Sequence, residues 1–251
     1  MEYIQVTGEN LESEHVCCAI SNNRDCQVMA KKSWLSDRFS DGLVFLKGNV
    51  RGKLFIEYLP AEKAWIPINA PNYMYIDCFW IAGQYKGHGY ANELLDSCIR
   101  DSTEKGKKGL CILSSRKKKM PFLSDPNYLA HKGFRVADTA DPFFALLYLP
   151  FEVSSFVPQF CSCVKHPQIN EDGFVLTYAD QCPYTAKYVP LLEDTAKQNG
   201  VPLKVIHIET AAQAQSAPTP FTSFSLFRNG QFVTNEILSP QKFLKIIEVS
   251  K

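Results

Sequence analysis

Hydrophobic and polar residues follow two different periods along the first 150 residues. Alternating stretches rich in aromatic and β-branched residues predict strands, and apolar positions three and four residues apart predict amphipathic helices. The pattern predicts strands at 3–6, 42–48, 52–59, 72–82, 109–115 and 142–151, and helices at 11–20, 26–39, from Gly87 onward and at 125–134. This alternation is typical of an α/β domain.

The last hundred residues have a different order of elements. A strand at 174–179, a helix at 183–200 and a strand at 202–209 precede a hairpin of 222–227 with 231–237 and a helix at 239–248. The order βαβ followed by ββα predicts a second, smaller domain. Residues 151–172 have weak periodicity and scattered Pro and Ser, so the predicted organisation is a domain at 1–150, a linker at 151–172 and a domain at 173–251.

A glycine pair opens the central helix of the first domain, within AGQYKGHGY at 82–90. A helix N-terminus offers unpaired N–H groups and a partial positive charge, and Gly87 and Gly89 let an anion approach the backbone. Phosphate is the expected ligand class. The stretch lacks the GK[ST] of a nucleoside triphosphate loop, and Asn92 stands where a dinucleotide fingerprint has its third glycine.

The loop instead has the pattern QxxGxG between a long strand and an amphipathic helix, formed by Gln84, Tyr85, Lys86, Gly87, His88 and Gly89. This resembles the acetyl-CoA pyrophosphate loop of the GCN5-related N-acetyltransferase (GNAT) superfamily. The stretch YLAHKGF at 128–134 is similar to the family's next helix, which ends in Gly-Phe. The resemblance implies a GNAT fold, with a mixed sheet and helices on both faces, and direct acetyl transfer from acetyl-CoA to an amine of a small molecule or peptide.

The resemblance also implies where the co-substrate binds. Backbone N–H groups from Tyr85 to Tyr90 would hold the pyrophosphate, and Lys86 would add positive charge. The strand near Asp77 to Phe79 would splay from its neighbour and pair its backbone with the pantetheine arm.

Acetyl transfer needs an acid for the departing thiolate, and family members often use a tyrosine five residues before the Phe of that Gly-Phe ending. Counting back from Phe134, this position is Leu129, and the tyrosine lies one residue earlier at Tyr128. One residue turns a side chain by about 100° around a helix, so the match is imperfect.

Transfer also needs a base for the amine, and three residues are candidates. Asp77, Glu57 and His131 each have an ordinary alternative role: a solvent-facing strand residue, a hairpin surface residue and a helix C-terminal residue. The basic run 116–119 is a candidate contact for the nucleotide 3′-phosphate or for an acidic substrate, but most charge runs face only solvent, and that is the interpretation favoured here.

Cys182 lies between a strand and a helix that begins with Pro183, where the helix N-terminus favours a thiolate. The stretch CPYT resembles the glutaredoxin CPYC motif with Thr185 in place of the second cysteine. The second domain resembles a thioredoxin fold, which implies a cis-proline at Pro218 or Pro220. The two domains together are similar to YoaP-type acetyltransferases over the whole chain.

Three functions therefore stay open at this point. The leading one is an acetyl-CoA-dependent N-acetyltransferase. The second is a thiol redox protein that uses Cys182, with Cys161 or Cys163 as resolving thiol and a CoA-sensing first domain. The third is a non-catalytic CoA-binding module, which the imperfect match at the acid position supports. Whichever applies, an alternative is that Cys182 has no redox role, in which case the second domain only shapes a substrate cleft or a dimer.

Charge and cysteine content narrow the setting. The formal net charge is +1, with 21% charged residues, so no overall field attracts the chain to nucleic acid or an anionic membrane. No signal peptide or membrane-spanning apolar run is present in the sequence. The nine cysteines have no paired CxxC spacing, which predicts no metal site and a reducing, cytoplasmic location. A homodimer is compatible with these observations.

Overall fold

The computed structural model describes residues 1–16, 22–152 and 156–248. The strands are β1 (Tyr3–Val6), β2 (Val44–Gly48), β3 (Leu54–Pro60), β4 (Ile68–Asn69), β5 (Tyr73–Ile81), β6 (Gly109–Ser115), β7 (Arg135–Ala140), β8 (Phe144–Pro150), β9 (Gln159–Phe160), β10 (Phe174–Tyr178), β11 (Leu203–His207), β12 (Phe224–Arg228) and β13 (Gln231–Thr234). The helices are α1 (Cys26–Phe39), α2 (Tyr90–Glu104), α3 (Pro126–His131), α4 (Tyr184–Gln198), α5 (Ala211–Gln215) and α6 (Pro240–Glu248).

The first half forms a seven-stranded sheet in the order β1-β2-β3-β5-β6-β8-β7. Only β5 and β6 are parallel neighbours in this sheet, because α2 carries the chain between them. Helix α1 packs on one face, through residues such as Trp34 and Leu35, and α2 and α3 pack on the other, through Leu94 and Leu129. The face covered by α1 is called the first face, and the face covered by α2 and α3 the second face. The predicted mixed sheet with helices on both faces is confirmed.

Strand β5 changes its side-chain alternation at Asp77. Its partner β3 pairs Tyr58 with Ile76 and Glu57 with Cys78, so Asp77 is the extra residue of a β-bulge. The pairing of β5 with β6 ends at Ile76 and Ile112, although both strands continue. The splay predicted near Asp77 is therefore present.

The second half is a four-stranded sheet in the order β11-β10-β12-β13, with β10 and β11 parallel. Helices α4 and α6 pack on it through Val189, Leu192 and Phe243. The predicted elements are all present, and α5 is an unpredicted addition. Among the described residues the one cis peptide bond is Asp141–Pro142, so the cis-proline expected at Pro218 or Pro220 is wrong. The thioredoxin-like description stays a prediction.

One hydrophobic cluster spans the two halves, in addition to the separate core of the second half. The cluster on the first face of the large sheet continues into Ala179, Ile208, Ala214 and Ala217 of the second half. Gln215 adds hydrogen bonds across the same boundary, from its Nε2 to the carbonyl oxygens of residues 62 and 64, both at 3.1 Å. Contact with the second half therefore covers apolar surface that a separate first domain would expose.

The segment predicted as a linker is packed where the structure describes it. Strand β9 pairs with β4, Val164 is fully buried, and the N–H of Ile169 donates to the carbonyl of Gly230. The domain boundaries at 150 and 173 stay a prediction.

Two other regions depart from the sequence pattern. Strand β7 was not predicted because its sequence, RVADTA, is largely polar, and it lies at the edge of the sheet, where only one neighbour is needed. Of the helix predicted at 11–20, the residues up to 14 form turns, and 17–20 lie outside the described residues. No helix in the described ranges is long and apolar enough to cross a bilayer.

Candidate active site

The glycine loop leads directly into α2. Gly87 and Gly89 both have a φ of +82°, a conformation that L side chains rarely adopt, and Gly89 caps the helix. A Cβ added at either glycine would meet no protein atom within 4 Å. The space in front of the loop is therefore open, and the glycines keep it open.

The backbone N–H groups of Gly87 to Ala91 have no hydrogen-bond partner among the described residues. The two preceding N–H groups are used within the loop, since Tyr85 donates to the carbonyl of Ala82 at 3.4 Å and Lys86 to that of Gly83 at 3.2 Å. The available donors thus begin two residues later than expected and extend to Ala91. A row of free donors at a helix N-terminus is an anion site.

Some residues of the loop are partly buried against the protein, and the others form an exposed rim. Tyr85 is partly buried in the second-face core, and a Cβ at Gly52 would lie only 2.6 Å from its ring. Tyr90 is also partly buried and stacks on His88, with ring centroids 5.7 Å apart. The exposed rim consists of Gln84, Lys86, Gly87, His88 and Gly89.

Tyr128 approaches the splayed part of β5 on the second face. Its ring centroid is 5.9 Å from that of Phe79, and its hydroxyl oxygen is buried with no hydrogen-bond partner among the described residues. Burial, with a smaller contribution from Asp96, raises the pKa of Tyr128 to about 12. Leu129, at the position the family pattern favours, is buried in the core. Tyr128 is thus a protonated hydroxyl beside the gap, and the part of the chain that the structure describes offers it no acceptor.

Asp77 is positioned by the bulge on the first face, beside a buried ion pair. Lys31 Nζ lies 2.6 Å from Glu57 Oε2, and the two side chains are 3% and 0% exposed. Burial raises the pKa of Asp77 to about 7, and the charge of Glu57 adds to this rise, while Lys31 and a hydrogen bond from Gln181 oppose it. Asp77 can therefore change protonation state near neutral pH.

Glu57 has a structural role, which corrects both alternatives considered from the sequence. It accepts a hydrogen bond from Trp34 Nε1 at 3.1 Å in addition to the ion pair with Lys31. Burial on the first face, rather than a hairpin surface, explains why it lies in the otherwise apolar run LFIEYL. That run was the sequence signal for a buried partner.

His131 and the basic run lie outside this centre. His131 is exposed at the end of α3. Residues 116–119 are also exposed, and Arg116 pairs with Asp141 at 2.9 Å. The solvent-facing interpretation of these groups fits the structure.

Asp77 lines a cleft between the two halves that is partly open to solvent. Residues of the first half on its wall include Trp65, Tyr75 and Phe122, and the second half contributes Gln181 and the stretch 220–223. Sequence reasoning missed these second-half residues, because no local pattern relates them to a strand a hundred residues earlier.

Cys182 follows Gln181 and is partly buried at the margin of the second half's core. Its carbonyl accepts hydrogen bonds from the N–H of Thr185 at 3.1 Å and from Thr185 Oγ1 at 2.7 Å. Thr185 is fully buried. Burial raises the pKa of both Cys161 and Cys163, which makes either a poorer thiolate.

Comparison with known proteins decides the family. Residues 202–245 match the family described as YoaP-like. Over 248 residues the chain is 43% identical to the uncharacterized N-acetyltransferase YoaP of Bacillus subtilis (strain 168), covering 98% of each sequence. The chain belongs to the YoaP family of N-acetyltransferases. The resemblance inferred from the QxxGxG loop and its surroundings is confirmed at this level.

Solved acetyltransferase structures resemble the YoaP-family chain more distantly. The PaiA N-acetyltransferase of Thermoplasma acidophilum, crystallised with coenzyme A, is 16% identical, with a TM-score of 0.34, and the match covers 50% of this chain and 67% of that one. A GNAT acetyltransferase of Brucella melitensis with acetyl-CoA is 12% identical, with a TM-score of 0.39, covering 64% and 92%. The family assignment rests on the YoaP relative.

Proposed function

We propose that this protein transfers an acetyl group from acetyl-CoA to an amine that binds in the cleft beside Asp77. The observation that carries this proposal is the row of unpartnered N–H groups from Gly87 to Ala91, next to the gap between β5 and β6. A helix N-terminus with exposed donors and no intervening side chains suits a pyrophosphate. The part of β5 that continues past its last pair with β6, Ile76 with Ile112, lies next to this row and suits the amide-containing pantetheine arm.

Asp77 is proposed as the general base. A carboxylate whose pKa is about 7 is substantially ionised at neutral pH, yet basic enough to accept a proton from an ammonium group. Among the described residues that line the cleft, Asp77 is the one that carries a formal charge, so a cationic amine is favoured there. Acetyl-CoA supplies the acetyl group as a thioester when it is bound.

Tyr128 is proposed as the general acid. As the amine nitrogen forms its bond to the acetyl carbon and the carbon–sulfur bond breaks, the hydroxyl of Tyr128 gives its proton to the departing sulfur, and Asp77 holds the proton taken from the amine. The high pKa of Tyr128 keeps it protonated at neutral pH. Its buried hydroxyl would find in the sulfur the partner that the described residues do not supply.

The acceptor is proposed to be a small-molecule or peptide amine, and the site of action the cytoplasm, in keeping with the cysteine usage. All groups in this scheme come from one chain, so it does not require a homodimer. A redox cycle through Cys182 is less favoured, because the fully buried Thr185 stands where the second thiol would be.

The test is calorimetric titration of acetyl-CoA into matched glycine variants. Gly89→Asp places a carboxylate beside the proposed pyrophosphate and should weaken binding at least about tenfold, through like-charge repulsion. Gly106→Asp is the control, since Gly106 has a φ of +69°, equally open surroundings and a position after the other end of α2. Equal affinities for the two variants, or no binding by the unmodified protein, would refute the proposal.

A further inference from the structure

We propose that the second half of the chain is part of the acetyltransferase active site, and that Gln181 is its positioning residue, holding the carboxylate of Asp77 in place for proton transfer. The inference rests on the function proposed for Asp77. It gives the second half a role in acetyl transfer that does not involve the thiol of Cys182.

The contact between the two halves is direct. Gln181 Nε2 donates to Asp77 Oδ1 at 3.2 Å, across 104 residues of sequence. Gln181 is 7% exposed, so water competes little for this hydrogen bond. A carboxylate held by a neutral donor keeps a fixed direction while its other oxygen stays available to an amine.

Hydroxyl groups determine which end of the Gln181 amide faces Asp77. Its Oε1 accepts a hydrogen bond from Ser223 Oγ at 3.0 Å. Thr222 Oγ1 also lies 3.0 Å from Oε1, but its single hydrogen is shared with the carbonyl oxygen of Trp65, so Ser223 is the main donor. Both hydroxyl-bearing residues are buried. With the amide oxygen occupied, the NH₂ group points to Asp77, and this is the orientation that an ionised carboxylate requires.

The backbone of Gln181 is fixed by the buried ion pair. Its carbonyl oxygen accepts a hydrogen bond from Lys31 Nζ at 2.8 Å, while Lys31 also pairs with Glu57. Lys31, Glu57 and Gln181 are the groups from neighbouring elements that act on Asp77. Glu57 raises the pKa of Asp77 and Lys31 lowers it, and Gln181 is the neutral donor that favours the ionised form.

The experiment follows the titration of Asp77 in the full chain, by carbon-13 NMR of aspartate-labelled protein, with Asp77→Asn used to assign the signal. In Gln181→Leu the carboxyl group should titrate about 1 pH unit higher than in the unmodified protein, because the hydrogen bond from Gln181 stabilises the ionised carboxylate more than the protonated one. Gln215→Ala is the matched control, because it removes another glutamine that bridges the halves but does not touch Asp77. It should leave the titration unchanged.

Activity provides the second readout, with tyramine, putrescine and an unblocked dipeptide as acceptors and loss of thioester absorbance as the signal. This signal avoids the protein's own cysteine thiols. Gln181→Leu should lower kcat/KM about fivefold at pH 7 and recover toward pH 9, as Asp77 becomes ionised again. A loss that is equal at every pH would indicate only a structural role and would overturn the inference.

Two further measurements keep the conclusions separate. Ser223→Ala is a milder change that should raise the pH at which Asp77 titrates by a smaller amount. It provides the test if Gln181→Leu does not fold. Acetyl-CoA binding by calorimetry should be the same in Gln181→Leu and the unmodified protein. If the unmodified protein does not bind acetyl-CoA, the proposed function fails, whereas an unshifted Asp77 in both the Gln181 and Ser223 variants overturns the role of Gln181.

Discussion

The carboxyl group of Asp77 should reduce the stability of the protein at the pH at which its proposed role as a base requires it to be ionised. Its pKa rises from the ordinary 3.8 to about 7, first through burial and second through Glu57. Between these two values the folded protein retains a proton that the unfolded chain releases, so the free energy of unfolding falls as the pH rises through this window. Above about pH 7 the loss is complete and stays constant.

The size of the effect follows from the difference between the two pKa values. About three pH units at about 1.36 kcal/mol each give about 4 kcal/mol, and partial exposure of Asp77 reduces this to about 2–4 kcal/mol. Asp77→Asn keeps the shape and can still accept the Gln181 hydrogen bond, but it carries no charge. We expect this variant to be more stable than the unmodified protein by about 2–4 kcal/mol at pH 8, with a clearly smaller advantage at pH 5.

Urea unfolding at pH 5 and pH 8, followed by tryptophan fluorescence, measures this difference. Asp138→Asn is the contrasting control. Partial burial acts in the opposite direction, but hydrogen bonds from Lys165 and from the N–H groups of Phe160 and Thr139 lower the pKa of Asp138. That stabilisation is fully present above the unfolded pKa, so the variant should lose the same amount at both pH values. An Asp77→Asn variant that is no more stable at pH 8, or whose advantage does not change with pH, would refute the reasoning.

The two remaining predictions concern the second face and the buried ion pair. Tyr128→Phe should lower kcat at least about tenfold, with little change in the KM for acetyl-CoA. Urea unfolding should show no loss of stability, because the hydroxyl that is removed has no partner among the described residues. Unchanged kcat would exclude Tyr128 as the acid. Lys31→Met should destabilise the protein by about 3–5 kcal/mol, because it leaves the Glu57 carboxylate buried without its ion-pair partner. The double variant with Glu57→Leu should recover most of that loss. A double variant as unstable as the single one would contradict this explanation.

The loop and its helix could be predicted from the sequence because their physics is local. Glycines with positive φ, a helix N-terminus and the preceding strand all lie within residues 72–104, and each leaves a pattern in the letters. Even so, the sequence did not show that the N–H groups of Tyr85 and Lys86 are used inside the loop. That depends on a single turn of 3₁₀ helix at Gly83–Tyr85.

The acceptor side could not be predicted in the same way. Asp77 was a candidate, but its environment is created by Lys31, Glu57 and Gln181, which come from three distant parts of the chain. Their proximity follows from the bulge in β5 and from the packing of the second half on the first face. From the sequence, Tyr128 was placed only by its angular position on a helix. In the structure, Leu129 of the short helix α3 is buried in the core, while the ring of Tyr128 lies near that of Phe79.

The division of the site between the two halves affects how such a protein can evolve. In the proposed scheme the acetyl donor binds one short continuous stretch, 87–91, whereas part of the cleft wall comes from 181 and 220–223. Substitutions in this part of the cleft wall could therefore change which amine is accepted without changing how the nucleotide is bound. Homologous proteins could differ in their amine substrates through a few substitutions in the second half, while the acetyl-transfer chemistry stays the same.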